Sequence, residues 1–409
     1  MKGVRICGML ILVLFGVWTL PVGCGGGGGD GESVTAQPAS GSNVQSIAVN
    51  GGPTAAISSA NGGYIYPNAA FTSVTVCVHG TSNCQTIDGV LVDTGTFGLR
   101  LLSSALTPTL YTTPTAGINL GECVQFADGS HIWGPVKTFD VKLSGELAGS
   151  VPIHVLDPNF YTIPSDCSSA GGPEEDDLLS LGANGILGIG PFQYDCAACV
   201  PSSGSPPTGA YYECSASSGC QPTFVSLSQQ VQNPVALFST DNNGVIIDLP
   251  PVSGPTASLN GLLVFGIGTQ SNNGLGSTTV LTLNQCQSIN TTYKGTVMPC
   301  SFIDSGSNGY FFPDTNISQD IYGWYIPPTT LNLTATNKGY NGTSSNVSFS
   351  VGNADNMYNA NPNDAVFNTL AGYTYGYFDW GMPFFYGRKV YIAIDGANTP
   401  AGFGPYWAY

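Results

Sequence analysis

The sequence predicts an all-β protein built as two similar β-barrel-like lobes with a cleft between them. From Tyr64 onward, short runs rich in Val, Ile, Thr, Tyr and Phe are broken about every ten residues by Gly, Pro, Asn or Asp, the pattern of successive strands and turns. Long amphipathic patterns are nearly absent, and only Thr223–Gln232 and Asn316–Gly323 invite a short helix. The third observation is an internal repeat. A possible disulfide hairpin at Cys77 and Cys84 leads into Leu91-Val92-Asp93-Thr94-Gly95-Thr96, and later comes Asn184-Gly185-Ile186-Leu187-Gly188-Ile189-Gly190. A second cysteine-flanked loop, Cys286 to Cys300, leads into Phe302-Ile303-Asp304-Ser305-Gly306-Ser307, followed later by Asp379-Trp380-Gly381-Met382-Pro383-Phe384-Phe385. Two halves that each present one loop carboxylate imply a shared cleft.

Residues 1–23 have the layout of a signal peptide, with Lys2 and Arg5 ahead of an apolar run from Ile6 to Leu20. Pro21-Val22-Gly23-Cys24 resembles the bacterial lipobox, which implies a lipidated Cys24 and a membrane tether; ordinary cleavage with a free N-terminal region is the alternative. Residues 24–61, with five consecutive glycines and then small polar residues, read as a flexible Gly/Ser-rich tether. The N-terminal lobe is expected over 62–248 and the C-terminal lobe over 249–409. Within them, residues 191–222 read as a cysteine-rich surface excursion and 239–260 as an irregular crossing between halves. The expected setting is exported, periplasmic or at the cell surface, and lipid-anchored.

A net charge of −16 with only nine basic residues makes nucleic acid an unsuitable partner. Apart from Cys7 and Cys24, ten cysteines remain in a chain that leaves the cytoplasm, so disulfides are the default. Cys77–Cys84 and Cys286–Cys300 could each close a hairpin, while Cys123, Cys167, Cys196, Cys199, Cys214 and Cys220 cannot be paired from spacing. Cys196-Ala197-Ala198-Cys199 matches a zinc or redox spacing, yet no histidine is near and the stretch is a Pro/Ser/Gly-rich loop. His79, His131 and His154 are scattered and read as ordinary surface or loop residues. No metal or cofactor is expected.

One Asp-Thr-Gly is an ordinary turn, but here the pattern occurs twice. Each aspartate follows two apolar residues fit for a buried strand, and each has a hydroxyl at the first and third positions after it: Thr94 and Thr96, Ser305 and Ser307. A carboxylate acting as a base needs donors that stabilise its charge, and hydroxyls with glycine-loop amides supply them. Gly95 and Gly306 let the backbone turn close to the carboxylates.

With these residues in view, the chain resembles the pepsin-like aspartic peptidases over nearly all of its length after the tether. Asp93-Thr94-Gly95-Thr96 and Asp304-Ser305-Gly306-Ser307 look like that family's two active-site loops. Phe126-Ala127-Asp128-Gly129-Ser130, with Trp133-Gly134 and the strand after it, resembles the flap that closes over substrate, which gives Phe126, Asp128, Gly129 and Ser130 a substrate-binding role. Asn184–Gly190 and the stretch from Gly381 to Pro405 are similar to the segments that pack behind the loops and close the second lobe. Thr240–Val245 and Gly266–Asn273 look like an uncharacterised family of exported bacterial proteins. Two departures stand out: Phe126 occupies the flap tyrosine's position and Arg100 that of an aromatic such as Trp, so the hydroxyl-to-indole hydrogen bond is missing.

The resemblance implies a bilobal pepsin-like acid-protease fold, a catalytic pair Asp93 and Asp304, a peptide or protein substrate in the cleft, and a monomer. Two close carboxylates share one proton, so the ionised member activates water while the protonated one holds the scissile carbonyl. The alternatives are a catalytically inactive pepsin-fold lipoprotein that binds peptide or glycan, and a structural lipoprotein whose cleft is filled.

Overall fold

A computed structural model describes residues 41–57, 65–284 and 287–409. Twelve strands make the first part: β1 Val44–Gly51, β2 Tyr66–Val78, β3 Cys84–Asp93, β4 Phe97–Leu102, β5 Asn119–Gln125, β6 His131–Leu143, β7 Glu146–Leu156, β8 Gly185–Ile189, β9 Tyr211–Ser215, β10 Gly219–Pro222, β11 Gly244–Leu249 and β12 Leu259–Phe265. The second half carries β13 Val280–Thr282, β14 Ile289–Tyr293, β15 Thr296–Ile303, β16 Tyr310–Phe312, β17 Leu331–Lys338, β18 Ser344–Val351, β19 Ala371–Tyr373, β20 Asp379–Trp380, β21 Arg388–Ala393 and a closing strand, Tyr406–Ala408. The architecture is all-β and two-lobed, as the repeat predicts.

Strand pairing explains the duplication. In the first lobe the strands follow the order β2-β3-β8-β4-β7-β6, and β6 pairs back onto β2, so the sheet closes on itself. β3 runs parallel to β8, with Asp93 opposite Gly188, and the chain returns as β4, antiparallel to β8 and parallel to β7. The second lobe repeats this in β15, β20, β16 and β19: β15 is parallel to β20, β16 antiparallel to β20 and parallel to β19. Each aspartate thus leaves the end of a strand whose neighbour is parallel. Parallel strands are buried on both faces and read as continuous apolar runs, as Val90-Leu91-Val92 and Gly185–Ile189 do.

Behind Asp304 lies a stack of rings. Phe378 stacks on Trp380 with centroids 4.0 Å apart and on Phe312 at 5.0 Å. Trp380 Nε1 donates to Asn337 Oδ1 at 2.9 Å, so its one polar atom is satisfied inside the core. Each ring pair is worth about 0.5–1.5 kcal/mol beyond burial, enough to hold the short β20 in place.

Several expectations need correction. The stretch 24–61, read as a tether, contains β1, which pairs antiparallel with both β2 and β12, and a helical turn, α1, at Thr54–Ile57. Residues 239–260, read as irregular, contain β11, paired with β12 and β21 inside the sheet that joins the lobes. The expected boundary at 248/249 therefore falls on the last rungs of β11, where Asp248 faces Leu262 and Leu249 faces Arg388. Thr223–Gln232 holds only a three-residue 3-10 turn, Leu227–Gln229. Asn316–Gly323 forms turns without a helix.

Among the described residues, four disulfides join Cys77 to Cys84, Cys123 to Cys167, Cys196 to Cys199 and Cys214 to Cys220. The Cys196/Cys199 pair is thus a disulfide, and residues 191–222 are braced by it and by the β9–β10 hairpin. Cys286 lies outside the described residues, as do the signal peptide at 1–23 and Cys24. Structural disulfides belong to oxidising compartments, which fits an exported protein. Among the described residues, no helix is long and apolar enough to cross a membrane.

Candidate active site

Asp93 and Asp304 meet at the centre of the molecule, each only 1% exposed. Their surroundings match atom for atom. Gly95 N donates to Asp93 Oδ1 at 2.7 Å and Thr96 Oγ1 donates to Asp93 Oδ2 at 2.8 Å. Gly306 N donates to Asp304 Oδ1 at 2.7 Å and Ser307 Oγ donates to Asp304 Oδ2 at 2.9 Å. The hydroxyls at the first position do different work, because they tie the loops to each other. Ser305 N donates to Thr94 Oγ1 at 2.9 Å, and Thr94 N donates to Ser305 Oγ at 3.1 Å. Thr94 Oγ1 donates onward to Ile303 O, and Ser305 Oγ to Val92 O, at 3.3 and 2.7 Å.

The glycines measure how closely the loops approach. A Cβ on Gly95 would lie 2.7 Å from the Asp304 carboxyl carbon, and one on Gly306 would lie 2.6 Å from Asp93 Oδ1. Only a residue without a side chain fits between loop and carboxylate on either side.

Electrostatics separates the two acids. Burial raises the Asp93 carboxyl, and hydrogen bonds from Thr96, Asp304 and Gly95 together with the Arg100 cation work against that rise. Asp304 is raised well above the usual carboxylate range by burial, then by the charges of Asp93 and Asp379. Both carboxyls are thus raised, Asp304 the more strongly, and the two titrate as one pair.

The segment expected to be the flap is the β5–β6 hairpin. At its tip Phe126 N donates to Ser130 O at 2.8 Å, Gly129 takes φ +92°, and Asp128 Oδ1 accepts from Ser130 N and Oγ at 2.9 and 2.7 Å. Phe126 is buried among Phe71, Leu102, Ile132 and Leu156. It also lines, with Thr94–Phe97 of the first loop and Phe302 and Ile303 of the second lobe, a cleft cavity of about 530 Å³. Asp93 and Asp304 themselves do not line it.

Sequence reasoning marked Arg100 only as a departure, whereas the structure makes it the hub of a buried charge cluster. Its Nη2 donates to Glu122 Oε1 at 2.9 Å and to Asp195 Oδ2 at 3.2 Å, and its Nη1 to Phe97 O at 2.6 Å and Gly98 O at 3.4 Å. Tyr211 OH donates to Asp195 Oδ1 at 2.8 Å. His154 and His131 are buried, which corrects their reading as surface residues; burial holds the His154 imidazole well below its usual value, hence neutral, with Nδ1 3.4 Å from Glu122 Oε2. His79 alone is exposed, 2.7 Å from Asp140.

A third acid was also missed. Asp379 is fully buried, neither oxygen has a hydrogen-bond partner, and burial raises it well above its usual value, with the Ser307 hydroxyl working against that rise. The repeat carried the signal. In strand register Asp379 stands opposite Phe302, where the first lobe sets Ile186 opposite Leu91. Among the described residues, no three His, Cys, Asp or Glu side chains gather as metal ligands.

Residues 39–409 match the family described as "Protein of unknown function (DUF3443)". No curated protein matches the sequence. Among solved structures, the chain is similar to an aspartic proteinase from Irpex lacteus at 17% identity and a TM-score of 0.49, covering 89% of this chain and 96% of that one.

Proposed function

The chain belongs to the DUF3443 family of proteins of unknown function, and from that premise we propose that it is an aspartic-type endopeptidase hydrolysing peptide bonds with water activated between Asp93 and Asp304. The observation that carries this reading is the matched hold on the two acids: one loop amide and one hydroxyl on each. Donors that stabilise charge would be superfluous around packing residues.

In this reading Asp93 takes a proton from the water as its oxygen attacks the scissile carbonyl carbon. Asp304 gives its proton to the carbonyl oxygen, which quenches the developing oxyanion. The resulting gem-diol collapses with cleavage of the C–N bond as Asp93 passes the water's proton to the leaving nitrogen and Asp304 regains a proton from a gem-diol hydroxyl, and no covalent intermediate forms. Thr94, Gly95, Thr96, Ser305, Gly306 and Ser307 support the carboxylates, and the flap residues Phe126, Asp128, Gly129 and Ser130 close over an extended peptide. The protein works as an exported monomer, periplasmic or at the cell surface, anchored through a lipidated Cys24.

The test is incubation of the purified mature chain with a mixed peptide library from acid to neutral pH, beside Asp93→Asn and Asp304→Asn. Acid-favoured cleavage, lost in both variants and blocked by pepstatin, is expected. Cleavage that survives either substitution would assign the activity elsewhere. One observation favours a second reading, a module that holds peptide or glycan without cutting: Phe126 brings no hydroxyl to the flap. Binding of library peptides without any cleavage would select it.

A further inference from the structure

We propose that Arg100 is a positioning residue of this centre: one buried guanidinium locks the first aspartate loop, the flap and the loop after β8 together and sets a permanent positive charge on the Asp93 side of the pair. The proposal rests on the peptidase reading for its kinetic arm and stands independently for its structural arm.

The geometry is that of a three-way joint. Arg100 sits in β4, which begins where the Asp93 loop ends, and its Nη1 holds the carbonyls of Phe97 and Gly98 directly after that loop. Its Nη2 reaches Glu122 in β5, four residues before Phe126 at the flap tip, and Asp195 beyond β8, the strand that runs parallel to the Asp93 strand. The planar fork suits this task, since one rigid group can serve several acceptors at set angles, which a lysine ammonium on a flexible stem cannot.

The charged and titratable groups facing it are Glu122 on β5, Asp195 after β8, Tyr211 on β9, His154 on β7 and Asp93 itself. Both cluster acids are buried with it: the Glu122 and Asp195 side chains are 2% and 10% exposed. Burial pushes the Glu122 carboxyl well above its usual range and the Arg100 charge works against that rise, so removing the guanidinium strips a buried acid of its donor, which is strongly destabilising. The cation also favours ionised Asp93. Flap attachment and dyad charge thus pass through one side chain.

The experiment compares wild type with Arg100→Met, which keeps bulk but loses charge, and Arg100→Lys, which keeps charge but loses the fork. Arg100→Met with Glu122→Leu removes a stranded partner should the single variant fail to fold. Two readouts are taken: kcat and KM against pH on a peptide cleaved in the library, and, independent of catalysis, hydrogen exchange of residues 119–135 with carbon-13 titration of the aspartate carboxyls.

In Arg100→Met the Asp93 midpoint and the acid limb of kcat/KM move up, and in both charge-free variants KM rises about tenfold and flap amides lose protection. In Arg100→Lys the midpoint returns to the wild-type position while flap protection stays low. An unmoved midpoint with unmoved flap protection in a folded charge-free variant would overturn the proposal. So would a lysine variant that behaves like methionine in the titration. If wild type cleaves nothing, the peptidase reading falls, and exchange and titration still decide the role of Arg100.

Discussion

Thr94 and Ser305 each accept a hydrogen bond from the other's backbone N–H, at 2.9 and 3.1 Å, and each hydroxyl donates onward into the opposite lobe. The lobes are therefore stitched together directly beneath the paired acids. Ser305→Ala strands the buried Thr94 N–H, and Thr94→Ala strands the Ser305 N–H. Each should cost about 1–3 kcal/mol of unfolding free energy by urea titration. The double variant should cost less than the sum, because the four bonds form one unit. Strict additivity would mean that the reciprocal bonds are not coupled.

Gly95→Ala drives a methyl into the Asp304 carboxyl, and Gly306→Ala into that of Asp93. Because small misplacements at a reacting centre cost about a hundredfold in rate, each substitution should lower kcat by about that factor. Activity within twofold of wild type would show that the loops can part without consequence.

Asp379 predicts a pH-dependent stability of unusual sign. In the fold its carboxyl is held well above the usual carboxylate range, chiefly by burial and then by the charge of Asp93. An acid raised on folding contributes stability fully below its unfolded value and loses it as pH rises toward the folded one. Asp379→Leu should therefore gain on wild type by about 1–3 kcal/mol between about pH 4 and about pH 8. Urea unfolding at both pH values measures this, and a difference that does not grow with pH would refute it.

The flap has its own titrating anchor. Glu175 is buried with both carboxyl oxygens unpartnered and is pushed up to about 9 by burial and by Asp128 at the flap tip. Neighbouring Glu174 is pushed up to about 7 by burial and the charge of Asp176. Both shifts are upward, so the stabilising contribution is complete below the ordinary glutamate range and is lost as pH climbs through about 7 and then about 9. Since Glu175 N donates to His131 O and Gly172 N to Gly129 O, the loss should fall on the flap. Hydrogen exchange at residues 126–132 should quicken over that window, and Glu175→Gln should flatten the response at its upper end.

The duplicated aspartate loops were legible because a short motif recurred in the same order with the same neighbours, and the strand pairing repeats with it. What escaped did so for physical reasons. Buried positions of β1 fall at Val44, Ile47, Val49 and Gly51, so strict alternation is broken, and its partner β12 lies far along the chain. Cysteine spacing says nothing about partners: Cys123 reaches Cys167, 44 residues on, while Cys196 closes on Cys199. Arg100 read as a loss because an aromatic was expected, and its acceptors Glu122 and Asp195 come together only when β4, β5 and the loop after β8 converge. Asp379 was quoted as part of a strand motif, yet only register exposes it as an acid at an apolar station.

The first described strand has a mechanical consequence. Val44–Gly51 is clamped on one edge by β2 and on the other by β12, so a pull applied at Val44 loads two rows of main-chain bonds along their length. Such rows resist in shear, all rungs at once, where a dangling edge would peel one rung at a time. Whatever holds this protein from its leading end grips both halves of the body together.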